Sequence, residues 1–223
     1  LIIFKAMSHK IGIVCEGISD YKILKHIVER YLRDYDVYTI PLKPKITPQG
    51  KQEGFGTWQG VLNYIKGDDG LILEAIKEGC LFVIIQIDTD VCEEYGVTKD
   101  TTDISEFYDN VKNKLAESIH PDFNLDQAIY AICIHEIECW LIPFICTSDC
   151  DNIDRCLNII NHQIRRTGAT IDKENKNSPQ AAAVYENILR HKRKVRDIQV
   201  VAQYNYGFQQ FINQLNAIQA RLL

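Results

Sequence analysis

The sequence has no apolar run near the ~20 residues that a membrane-spanning helix needs. Its longest runs, Leu81–Ile87 and Ala128–Ile134, are the size of strands, and no membrane partner is expected. It has no Gly-x-x-x-x-Gly-Lys-Ser/Thr, so any ATPase working with this chain would be a separate subunit. Nothing in the first residues reads as a secretory signal. Leu1–Ile3 is too short for an apolar core, and Lys5 and Lys10 interrupt the next stretch, so a cytoplasmic location is expected. Met7 is the single methionine and the expected natural start, with residues 1–6 an upstream extension. No internal repeat is visible. Aromatic (9%) and charged (25%) contents are those of a globular protein, which excludes disordered and fibrous classes.

At 223 residues the chain has room for one domain and an elaboration. The net charge of −5 hides an asymmetry. Residues 1–149 carry 14 Lys/Arg against 24 Asp/Glu, and residues 150–223 carry 11 against 6. An acidic body beside a basic tail suits a metal site next to a polyanion-binding surface, and equally a solvated surface with no such role. Of eight cysteines, Cys15, Cys80 and Cys133 lie in or beside apolar strand-like runs, where a thiol packs as a small hydrophobe. Cys139, Cys146, Cys150 and Cys156 contain no C-x-x-C pair. With His135 they offer zinc-type donors, but reduced thiols are the expected state.

Hydrophobic patterning gives the order of elements. Ile11–Cys15 reads as a strand ending in Glu16-Gly17, with Ser19 as the N-cap of a helix whose apolar stripe is Leu24, Ile27, Val28, Tyr31 and Leu32. Val37–Pro41 reads as a second strand, and residues 43–56 as a mobile loop rich in Pro, Gly, Gln and Lys. Helices come next over Thr57–Ile65 and Asp69–Glu78. Leu81–Ile87, with six of its seven residues apolar, has the lack of alternation of a strand buried on both faces. Asp103 caps another helix, and Ala128–Ile134 is a further buried strand running into a helix broken near Pro143. Beyond Cys150 only helices are expected, one of them opened by Ser178-Pro179. The expected fold is α/β: a Rossmann-like, mostly parallel sheet flanked by helices over residues 9–149, with a helical extension over 150–223 packed on it.

In such sheets the working site lies at the carboxyl ends of the strands. Three of those ends carry acids: Glu16, then Asp88 and Asp90, then Glu136 and Glu138. Alternation places Asp88 and Asp90 on one side with Thr89 facing away. Neighbouring parallel strands are ~4.8 Å apart, so such carboxylates can share one ion. Gathered like charges repel unless a cation holds them. The cation suited to an all-oxygen set is Mg²⁺ or Mn²⁺.

The segment Ile13-Val14-Cys15-Glu16-Gly17-Ile18-Ser19-Asp20 resembles the first motif of the Toprim domain, and Ile87-Asp88-Thr89-Asp90 resembles its second. His135-Glu136-Ile137-Glu138-Cys139-Trp140-Leu141 is similar to the Glu-x-Trp signature of RloB-like Toprim proteins, whose helical tail ends in a stripe like Phe208 and Phe211 here. The resemblance, which also takes in the overcoming-lysogenization-defect nucleases, covers roughly residues 11–145. It implies a Mg²⁺- or Mn²⁺-dependent phosphodiesterase acting on nucleic acid, DNA ahead of RNA, in bacterial phage defence or DNA processing. It also implies roles: Asp88 and Asp90 as metal ligands, Glu16 as ligand or general base, and Glu138 as a further ligand that Glu136 could replace. Toprim sites often carry another Asp after the pair; here Val91-Cys92 come next, and only Glu93 and Glu94 are near. Asp20, in the first turn of its helix, either caps that helix or orients a water.

For the polyanion, Arg190, Lys192, Arg193, Lys194 and Arg196 form the densest basic run, with Lys192 and Arg196 on one helical face; Arg165-Arg166 is a second cluster. Lys43, Lys45 and Lys51 could close over a strand, with Trp58 or Phe55 stacking on a base. Two other enzyme classes use Asp-x-Asp after a strand. Haloacid-dehalogenase phosphatases normally place it on the first strand, and nucleotide-sugar glycosyltransferases leave Glu16-Gly17 and Glu138-x-Trp140 unexplained. A non-catalytic module binding metal or a partner is the remaining alternative.

Overall fold

The computed structural model describes residues 8–47, 52–53, 56–67, 70–100, 102–147, 150–151, 153–190 and 194–223. Four parallel strands form one sheet: β1 (His9–Val14), β2 (Val37–Lys43), β5 (Cys80–Asp88) and β6 (Ala128–Cys133). Between them in the chain, β3 (Lys45–Ile46) and β4 (Gln52–Glu53) pair as an antiparallel hairpin. The sheet order is β2-β1-β5-β6. From β1 the chain steps outward to β2, then returns across β1 to β5. The direction of winding therefore reverses between β1 and β5, where α/β sheets open a crevice at their carboxyl edge.

Pleating sends alternate residues to two apolar layers. Ile11, Ile13, Phe82, Ile84, Ile129 and Ala131 pack on one side against α1 (Ile18–Tyr31). The same layer takes in the later helices α6 (Cys156–Ile164), α7 (Pro179–Leu189), α8 (Val195–Ala202) and α9 (Tyr206–Ile218). Val14, Val83, Ile85, Ile87, Tyr130 and Ile132 pack on the other, against α2 (Trp58–Lys66), α3 (Leu71–Lys77) and α4 (Ile104–Ser118). The architecture is thus α/β with a parallel sheet covered on both faces, and among the described residues after 150 the regular elements are all helical. Among the described residues no helix is long and apolar enough to cross a membrane.

Local expectations hold where capping chemistry is strong. Asp103 and Ser178 each accept a hydrogen bond from the backbone N–H three residues on, and Pro179 opens α7. Elsewhere the structure corrects them. Thr57, expected as the first residue of its helix, is instead the N-cap of α2 and accepts the Gly60 N–H. Gly17, not Ser19, is the N-cap of α1, because the Asp20 carboxylate reaches back to the Gly17 N–H at 2.7 Å and leaves the Ser19 hydroxyl free to donate elsewhere. Residues 43–56 are not simply a loop, since they hold the β3–β4 hairpin; Lys51 and Phe55 lie outside the described residues. Pro143 does not break a helix. It sits in the first turn of α5 (Ile142–Ile145), where a missing N–H costs nothing. Cys139 and Cys156 form a disulfide rather than staying reduced.

The Trp140 indole ties the two parts of the chain together. It is fully buried, stacked on Phe208 at 4.7 Å and tilted against Phe211 at 5.5 Å. Both phenylalanines belong to α9, whose Gly207 lies so close to the Ile132 carbonyl of β6 that a Cβ there would collide with it. Trp140→Ala is expected to cost about 3–5 kcal/mol, read as a lower denaturation midpoint in a urea titration; a change below about 1 kcal/mol would remove Trp140 from the core contacts that hold α9.

Candidate metal centre

The carboxyl edge of β1, β5 and β6 gathers acids around one cation. Asp88, the last residue of β5, is buried and fixed by two donors to Oδ1: the Gln86 amide at 2.9 Å and the Ile137 N–H at 3.0 Å. Gln86 also accepts the Glu16 N–H at 3.1 Å, and Glu16 Oε1 accepts the Asp88 N–H at 2.9 Å. The tips of β1 and β5 are therefore crosslinked in both directions through side chains. On the other flank, Thr89 and His135 exchange two hydrogen bonds of 2.8 Å, extending the β5–β6 ladder beyond its last regular pair. His135 has φ +70, a conformation uncommon for a non-glycine residue. This kink directs the chain into the 3-10 turn Ile137–Trp140, which carries Glu138.

Into this edge comes Lys176, from the segment between α6 and α7. Its ammonium stands 3.4 Å from Glu138 Oε2, 3.7 Å from Glu136 Oε1 and 3.8 Å from Asp88 Oδ2. The Ser19 hydroxyl, released from capping, donates to the Lys176 carbonyl at 2.5 Å and holds the segment against α1. Gly17 makes the approach possible, because a Cβ there would overlap the Asn177 side chain. Glu138, 1% exposed, takes a second donor in the Tyr185 hydroxyl of α7 at 2.8 Å.

One ammonium does not balance these acids. Burial, with Asp90 and Glu138 adding repulsion, pushes the Glu16 carboxyl up to about 7. Burial, with Glu138 and Glu16, pushes Asp20 up to about 8. Burial and the charges of Glu16, Asp20 and Glu138 hold Asp88 well above the usual carboxylate range. Lys176 moves the opposite way from what its own burial would give. The surrounding carboxylates, Asp88 first, raise its affinity for its proton, so it remains an ammonium.

Of the residues expected from the sequence, Glu16, Asp20, Asp88, Glu136 and Glu138 meet here. Asp90 lies in the exposed turn after β5, near enough to act on Glu16. The basic run is interrupted rather than helical throughout: α7 ends at Leu189 and α8 starts at Val195, with Lys194 at its N-cap and Arg196 in its first turn. Lys192 and Arg193 lie outside the described residues. Arg190 lines two pockets, with Lys22 and Glu186 or with Phe144 and Thr167, that contain none of the clustered carboxylates. Lys176, Tyr185 and Gln86 are the participants that sequence reasoning missed. Gln86 does carry a signal, as the one polar residue in the run Leu81–Ile87.

Among the described residues no three His, Cys, Asp or Glu side chains are arranged to hold a metal ion. The ammonium stands where the carboxylates converge. The donor chemistry nonetheless suits a hard divalent cation: carboxylate oxygens only, in excess of the positive charge present. No family model matches the chain, and neither a curated protein nor a solved structure does.

Because the folded-state carboxyls of Glu16 and Asp20 lie above their ordinary values, the folded protein holds protons that the unfolded chain has lost. That contribution is fully present below about pH 4 and is lost as pH rises through about 7 and 8. Denaturant unfolding in EDTA is expected to show stability falling by on the order of a few kcal/mol between pH 5 and about 8, with a flatter profile in Asp20→Asn. Parallel profiles for the two proteins would show that Asp20 titrates normally.

Proposed function

We propose that this chain is a metal-dependent phosphodiesterase acting on nucleic acid, with its centre at the carboxyl edge of β1, β5 and β6. The observation that carries the proposal is the excess of buried carboxylate over positive charge at the switch point of the sheet. Acids that pair with lysine for stability alone need only match its charge. Here at least five share one ammonium, and three of them are driven toward protonation. Asp88, Asp90 and Glu16 would hold a Mg²⁺ or Mn²⁺ ion, with Glu138 or Glu136 as a further donor. Such an ion, when bound, neutralises a phosphoryl oxygen and acidifies a water.

The chain's own groups divide the remaining work. Glu16, poised near neutral pH by burial, suits proton transfer to or from an attacking water. The Gln86 and Ile137 donors fix Asp88 in one rotamer, so its second oxygen faces the crevice. Lys176 keeps the acids assembled in the absence of a divalent ion and offers a cation to a phosphate in its presence. Asp20 caps α1 and stays out of the reaction. The Toprim resemblance of the Glu16 and Asp88 segments supports the same reading, and a bacterial defence role rests on that resemblance alone.

A second reading rests on the same ammonium. A Glu138–Lys176–Asp88 network closed by Tyr185 would also serve a non-catalytic module, whose acids bind the helical extension to the sheet. The two readings diverge on supercoiled plasmid, single-stranded DNA and RNA in Mg²⁺, Mn²⁺ and EDTA. The phosphodiesterase reading expects metal-dependent cleavage that falls about a hundredfold or more in Asp88→Asn/Asp90→Asn. Cleavage equal in the double variant would remove Asp88 and Asp90 from the reaction and overturn this centre, and none under any condition would favour the module.

A further inference from the structure

A groove opens beside the acid cluster on its Glu136 side. Its inner part, about 220 Å³, is lined by Glu136, His135 and Lys173, and its outer part, about 520 Å³, by Ile159 and His162. Asp154, Arg155 and Asn158 line both, so the two parts adjoin along this stretch. Its floor is one face of α6. Arg155, Asn158 and His162 recur at spacings of three and four, a single stripe along a helix, and the next turn brings exposed Arg165 and Arg166. Lys173 comes from the 3-10 turn Lys173–Asn175, three residues before Lys176. The same segment thus places one ammonium among the acids and another in the groove beside them.

Two cations and two acids line the groove, Arg155 and Lys173 with Asp154 and Glu136, and the exposed Arg165-Arg166 turn beyond it adds positive charge. Arg155 is 80% exposed in its side chain, and Lys173 is exposed as well. The acid shared by both stretches of the groove is Asp154, which lies 3.6 Å from His135 Nε2 and 3.6 Å from Arg155 Nε. A polyanion approaching a cluster of carboxylates needs cations immediately outside it, and this groove is where the structure supplies them. Arg190 lies elsewhere. Arg190 is five residues beyond Tyr185, about 7–8 Å further along α7, and the pockets it lines hold no member of the cluster.

We propose that the α6 groove is the path of the nucleic-acid strand. Arg155, Lys173 and the Arg165-Arg166 turn hold its phosphates, and the strand enters the acid cluster past Glu136. This rests on the phosphodiesterase reading for its substrate class. The test separates the two by measuring binding without turnover: fluorescence anisotropy of a fluorescein-labelled single-stranded oligonucleotide in EDTA.

Arg155→Glu/Lys173→Glu is expected to weaken binding at least tenfold. It should also reduce the slope of log affinity against log salt by about 1.4, two phosphate contacts at ~0.7 each. Asp154→Asn, which removes the shared acid, is expected to tighten binding, and Arg190→Glu/Arg196→Glu to leave it within twofold. Arg155→Gln/Lys173→Gln, with an unchanged melting temperature, shows that any loss is not misfolding. Wild-type affinity in the groove variants, loss confined to the Arg190/Arg196 variant, or no oligonucleotide binding by the wild type would each overturn the proposal. Groove-dependent binding without cleavage in Mn²⁺ would keep it and remove the phosphodiesterase reading. Cleavage that survives groove reversal would do the opposite.

Discussion

The ammonium of Lys176 among the carboxylates of Asp88, Glu136 and Glu138 is the contact on which the arrangement depends. Acids at three strand tips of a parallel sheet repel one another at close range, and the low-dielectric crevice strengthens that repulsion. Without a cation, the strand edge could stay assembled only with its carboxylates protonated. The chain supplies one positive charge, delivered from outside the sheet on a segment pinned by Ser19 and accommodated by Gly17. That charge is enough to fold the site and too little to neutralise it. The remaining deficit is the feature on which the proposed divalent-ion site rests.

The helical extension thereby becomes part of the site. Tyr185 of α7 donates to Glu138, Lys176 precedes the same helix, and the Cys139–Cys156 disulfide fixes the start of α6 to the residue after Glu138. Trp140, one residue further, stacks on α9. A turn of four residues, Ile137–Trp140, thus joins the acid edge to three of the four later helices. The groove along α6 inherits its position from these joints, and Glu136 belongs both to its inner part and to the acid cluster.

Much of this was legible in the residue pattern, for identifiable reasons. Strands buried on both faces announce themselves as unbroken apolar runs, and the acids closing them mark the working edge of the sheet. Caps such as Asp103 and Ser178 act within four residues, so local sequence determines them. Lys176 was invisible because it lies in a polar stretch, Asp172–Asn177, without periodicity, and its partners are 38 to 88 residues away. Tyr185 lies among the apolar neighbours of α7, and its hydroxyl partner comes from a different element, so local sequence carries no sign of the contact. Ser19 and Asp20 compete for one cap, and only the tertiary contact to Lys176 decides between them. The basic run from Arg190 to Arg196 is contiguous in sequence, whereas Arg155 and Lys173 are 18 residues apart and converge only in the folded groove.

Carboxylates held near neutral or above, by burial first and by their mutual repulsion second, are proposed to accept a divalent ion in place of their protons. Calorimetric titration of the protein with Mn²⁺ at pH 7, repeated in buffers of different ionisation enthalpy, measures that exchange directly. The account predicts saturable binding with release of about one proton or more per ion, because binding must deprotonate groups such as Glu16 and Asp88. Absence of binding, or binding with no proton release, would contradict it and leave Lys176 as the only cation this edge was built to hold.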